Sequence, residues 1–192
     1  MALGSKYFGW LLALIIVLAA GWFLLPAGYN TLVLWLAPEL GNWIRPTLVL
    51  VNIMLVDVFT NWMMVIIWAI AGFIGGVLAR TKKGGFVVGL FTWLSALLIL
   101  VFCVYQLFMS GLDMGSIPPI PPGSSLVDIL GIPLIQSAIG ELLPLISGIG
   151  GGGGGFDIMA LLTPLIIWFV TPLIVVIVAA IIGGAVRPKE RL

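Results

Sequence analysis

The stretch "TLVLVNIMLVDVFTNWMMVIIWAIAGFIGGVLAR", Thr47 to Arg80, decides how this chain is organised. As a single helix to Ala79 it would be about 50 Å long at 1.5 Å per residue, far more than a hydrocarbon core of about 30 Å can hold. Part of it must break, tilt or project. The segment just before Arg80, "WMMVIIWAIAGFIGGVLA" from Trp62 to Ala79, has the length of one crossing. Asp57 lies about 35 Å of helix before Arg80 and so reads as a carboxylate at the outer boundary.

Three other stretches have the same character: "YFGWLLALIIVLAAGWFLL" (Tyr7 to Leu25), "GFVVGLFTWLSALLILVFCVYQLF" (Gly85 to Phe108) and "LLTPLIIWFVTPLIVVIVAAIIGGAV" (Leu161 to Val186). Each is long and apolar enough for a membrane helix. The chain as a whole is 62% hydrophobic and 8% charged, with a mean hydropathy of +1.30. A soluble domain carries about 25% charged residues, and this much apolar side chain exceeds what a fold of 192 residues can hide from water. The predicted fold class is an all-α integral membrane protein, one membrane domain over residues 1–192, with four transmembrane helices and short outer interfacial helices. Lys6 before an apolar run also suits a signal peptide, but Leu18 at the −3 position of a cut after Ala20 is a poor cleavage site, so a retained helix is expected.

The charges set the expected orientation. With four spans, Lys6, Arg80, Lys82, Lys83, Arg187, Lys189 and Arg191 share one side with a single acid, Glu190. The other side holds Glu39, Asp57, Asp113, Asp128, Glu141 and Asp157, with Arg45 as its only base. Basic residues remain in the cytoplasm, which predicts a multi-pass protein of the cell membrane with both termini cytoplasmic.

Two outer segments are too apolar for ordinary loops. Residues 28–60 are broken by Pro38, Glu39, Gly41, Arg45 and Pro46, and carry Trp35 and Trp43, which predicts short helices along the outer interface. Residues 110–158 begin with the proline-rich spacer "GSIPPIPPGSS". They continue into an amphipathic pattern in which Ser137, Gly140, Glu141, Pro144 and Gly148 share a face. With an acid and no base on that face, docking on protein is expected over docking on anionic lipid. Six glycines follow: Gly150, Gly151, Gly152, Gly153, Gly154 and Gly155. No strand precedes them and no Lys-Ser/Thr pair follows, so they read as a hinge and not as a phosphate loop.

Small residues mark the helix-packing or partner-binding faces. Gly72 and Gly76 form GxxxG; Ala71 with Gly75, Ala179 with Gly183 and Ala180 with Gly184 repeat the spacing. Such pairs let another helix backbone come close. "IAGFIGGVLAR" (Ile70 to Arg80) also resembles "VAAIIGGAVR" (Val178 to Arg187), as any packed membrane helix with a basic stop would.

Signs of chemistry are few. Histidine is absent and Cys103 is the sole cysteine, which removes the usual zinc, haem and iron–sulfur ligand sets; no metal and no cofactor is expected. No basic stripe exists for nucleic acid. The span centres hold no Asp, Glu, Lys or Arg, and their polar residues are Thr92, Ser95, Gln106, Thr163 and Thr171. Thr163 with Pro164 and Thr171 with Pro172 are path-lining candidates, since prolines free carbonyls; the plainer reading is that the threonines satisfy backbone there. The outer acids form no spacing that dictates a metal or acid/base site. The function expected is a non-catalytic accessory or structural subunit of a larger membrane complex, its partners other integral membrane subunits and lipid. The alternative is a small transporter or channel, in which a homo-oligomer would be the assembly.

Overall fold

The computed structural model describes residues 3–111, 126–132, 135–136, 139 and 158–186. Among these, every regular element is helical: α1 (Leu3–Phe23), α2 (Ala27–Leu40), a 3-10 turn (Gly41–Trp43), α3 (Ile44–Met54), α4 (Trp62–Ala79), α5 (Lys82–Gly111), α6 (Leu126–Leu130) and α7 (Ile158–Val186). Four helices are long and apolar enough to cross a membrane, over Gly4–Phe23, Trp62–Ala79, Lys82–Met109 and Leu162–Val186. The glycine run, most of the amphipathic segment after Pro133, Glu141, Asp157 and the residues from Arg187 onward lie outside the described residues.

The four long helices form one bundle whose core includes Ala13, Val17, Ile53, Met54, Trp68, Ala71, Ala96 and Val176. Gly72 of α4 abuts Val176 of α7, and one turn on Gly76 abuts Ala180, so these two helices run parallel. Gly85 of α5 meets Ala180 and Gly89 meets Val176 and Ile177, so α5 runs opposite to both. Gly9 lies beside Gly75 and Leu78, whereas Gly21 at the other end of α1 meets Val49 and Ile53. Lys6, Arg80, Lys82 and Lys83 therefore gather at one end of the bundle, where α7 also finishes.

Local chemistry explains the α4–α5 hairpin. Arg80 takes a left-handed conformation (φ 55°) and its N–H reaches the Gly76 carbonyl, which closes α4. The Thr81 hydroxyl then accepts the Gly84 N–H at 3.0 Å and caps α5. At the opposite end Gly41, with φ 73°, ends α2.

The long run from Thr47 to Ala79 breaks between Leu55 and Asn61. α3, on the near side of that break, differs from the expectation of a helix resting along an outer interface. Seven of its residues, Ile44, Thr47, Val49, Leu50, Asn52, Ile53 and Met54, are buried, and it packs mainly on α5 and α1. Trp68, six residues into α4, donates its indole N–H to the Ile53 carbonyl at 2.7 Å, so the end of α3 reaches below the start of α4. Pro46 does not break this helix, because it sits in the first turn, where a missing N–H costs nothing. Outside the main core, Tyr29 of α2 packs with Ile129 and Ile132 at α6.

Candidate functional site: the glycine seam and the return at Val56

The predicted small-residue faces meet within the chain. A Cβ on Gly72 would lie 2.5 Å from the Val176 carbonyl oxygen, and one on Gly76 would collide with the Ala180 carbonyl. Gly183 is pressed in the same way against the Phe73 carbonyl, and Gly184 against that of Thr81 at 2.5 Å. The second stripe serves other neighbours: Gly75 faces Val88, the Gly9 carbonyl and Ala13, while Ala71 is fully buried. Ala180 is fully buried as well, and Ala179 is partly exposed. Close backbone approach gives dispersion contact along the whole seam, which is what holds helices together when the solvent is as apolar as the side chains. These faces are thus spent on internal packing. Gly9, Gly85 and Gly89 join the same seams; Gly85 and Gly89 themselves form a GxxxG that the spacing could have revealed.

Four hydroxyls of the long helices are also committed locally. Thr92 donates to the Val88 carbonyl, Ser95 to that of Phe91, Thr163 to that of Met159 and Thr171 to that of Ile167, all at 2.7–2.8 Å. Ser95 in turn accepts the Trp10 indole N–H at 3.0 Å. Pro172 supplies no donor to the Trp168 carbonyl. The Val56 N–H takes that oxygen at 3.1 Å, so the freed carbonyl anchors the return between α3 and α4. Around this return the Asn61 amide reaches Asn52, and Asp57 accepts the Phe59 N–H and the Thr60 hydroxyl at 3.1 and 2.9 Å. Asp57 is a turn cap here.

Among the described residues, four buried polar atoms have no hydrogen-bond partner: Tyr29 Oη, Arg45 Nε, Asn52 Nδ2 and Trp93 Nε1. The Arg45 guanidinium lies over the Trp22 ring at 4.6 Å, a cation–π contact that ties α3 to α1. Trp93 packs edge-to-face on Phe169, and Trp43 on Phe102. Burial pushes the Tyr29 phenol above its ordinary range. Among the described residues no group of three or more His, Cys, Asp or Glu side chains converges to hold a metal ion. No family model, no curated protein and no solved structure matches the chain.

Proposed function

We propose that this chain is a multi-pass membrane protein with a structural, non-catalytic role, assembled with other integral membrane subunits and oriented with its lysine-bearing end in the cytoplasm. The observation that supports this reading best is the fate of the polar side chains. Thr92, Ser95, Thr163 and Thr171 each give their hydroxyl to a carbonyl of their own helix, and no Asp, Glu, Lys or Arg sits in the interior of the four long helices. A solute path normally keeps ionisable groups at depth, because each is costly and is retained for use. The one unpaired buried polar atom among the described residues of the long helices, Trp93 Nε1, belongs to an indole packed on Phe169. The internal seams also change where partners would dock. Since Gly72, Gly76, Gly183 and Gly184 are covered by the chain itself, an assembly surface would use the outward apolar faces, such as Leu98, Val101 and Tyr105 of α5.

The test is purification from native membranes in mild detergent, followed by native mass determination. Stoichiometric unrelated subunits are expected. A solitary monomer or homo-oligomer that passes solute in liposomes would overturn the proposal and leave the transporter reading in its place.

A further inference from the structure

At the lysine end, α1 and α5 both lean on Gly75 of α4, and they leave a groove of about 380 Å³ between them. Its walls are Lys6, Tyr7 and Trp10 from α1 and Val87, Val88 and Phe91 from α5. Below the lysine the lining is almost wholly apolar. Trp10 is held in place by its hydrogen bond to Ser95, and Ser95 by its bond to the Phe91 carbonyl, so the wall is fixed from both helices. Val88 is buried as the floor, while Tyr7, Val87 and Phe91 are about half exposed, so the groove opens sideways. Lys83 stands four residues before Val87 and eight before Phe91, which places it on the same face of α5. No acidic side chain among the described residues pairs with Lys6 or Lys83, and Arg80 and Lys82 stand at the same end.

We infer that this groove is a binding site for one anionic phospholipid, an acyl chain lying along Trp10, Val87 and Phe91 with its phosphate against Lys6 and Lys83. The chemistry is complementary at both ends. A slot open sideways to the hydrocarbon admits a chain that diffuses in the leaflet, and the cationic mouth selects a negative headgroup where the slot meets water. A soluble ligand would have to enter through the hydrocarbon side or past two lysines into a site whose other polar side-chain groups are the Tyr7 hydroxyl and the Trp10 indole N–H, the latter already given to Ser95. The proposal rests on the membrane reading but not on the assembly role, since a chain without partner subunits would hold the lipid equally well.

The test uses the full-length chain in detergent, with phosphatidylglycerol or phosphatidylcholine added and the bound lipid counted by native mass spectrometry. One phosphatidylglycerol per chain should survive activation that strips phosphatidylcholine. Lys6→Gln should weaken retention about fivefold, the loss expected of one basic group at an anionic surface, and adding Lys83→Gln should weaken it further. Lys82→Gln, on the opposite face of α5, should leave retention unchanged. All three substitutions alter exposed side chains, so the fold should persist, and reaction of the buried Cys103 thiol on heating checks that it does. Equal retention of the two lipids, or indifference to the Lys6 and Lys83 changes, would overturn the inference. So would competition by inorganic phosphate alone. Val87→Trp should fill the slot and release the lipid; if it instead dissolved a dimer, the occupant would be a second copy of this chain.

Discussion

The two halves of the bundle are held by opposite means. From Gly72 to Gly76, α4 and α7 touch because side chains are missing, and carbonyls lie where a Cβ would be. From Leu55 to Asn61 the chain leaves helical geometry, and named hydrogen bonds keep it in place: Trp68 to Ile53, Val56 to Trp168, and Asn61 to Asn52. A continuous helix satisfies its own backbone, so it needs only a close fit to its neighbour. A broken one exposes donors and acceptors that must be matched one by one, since each orphan in apolar surroundings costs several kcal/mol. Substitutions should therefore act by volume in the first region and by lost partners in the second.

The largest effect is expected at Gly76. Even a methyl group there meets the backbone of Ala180, which cannot rotate away, so Gly76→Ala should cost about 3 kcal/mol and Gly76→Leu should prevent the bundle from closing. Cys103 is the only cysteine and is buried, which makes its reaction with a thiol dye on heating a direct readout. Normal melting of the alanine variant would mean that the seam is looser than its geometry.

Next in size is Trp68→Phe. It removes the buried donor to Ile53 and some ring volume together, and should cost about 2–3 kcal/mol. Hydrogen exchange should rise first in α3, before α4 and α7 open. If protection fell evenly across the bundle, the outer return would not be the separate unit that its hydrogen bonds suggest. Asp57→Ala should matter less, about 1 kcal/mol, because it removes the cap of the exposed turn that carries Phe59 and Thr60.

How much of this could be read beforehand follows the same division. The length and hydropathy of α4, α5 and α7 are visible because an apolar solvent demands about 20 apolar residues per crossing. The small-residue pairs were equally visible, but spacing does not say which helix will use them: the chain's own α7 takes Gly72 and Gly76, while Gly75 goes to α1 and α5. The inward course of α3 was hidden for two reasons. Pro46 and Arg45 look like breakers unless the helix is known to start at Ile44. Its anchor, the Trp168 carbonyl, depends on a proline more than a hundred residues away along the chain. Lys6 was legible as an orientation charge and as the basic flank of a signal-like run, and its place at a groove mouth needed both α1 and α5 in space.

The smallest and most discriminating prediction concerns Tyr29, whose hydroxyl is buried against Ile129 and Ile132 without a partner. Removing a partner usually destabilises, but here the polar atom is already alone, so Tyr29→Phe should leave stability unchanged or raise it by up to about 1 kcal/mol near neutral pH. Burial raises the folded-state phenol above its ordinary value of 10, so the unfolded chain releases its proton first as pH rises. The wild-type protein should therefore lose stability from about pH 10 upward, by at most about 1.4 kcal/mol per pH unit, and the phenylalanine variant should lack that share of the loss. Parallel alkaline melting curves for the two proteins would show that the hydroxyl reaches water or a partner, and that α2 and α6 close less tightly over it than their packing implies.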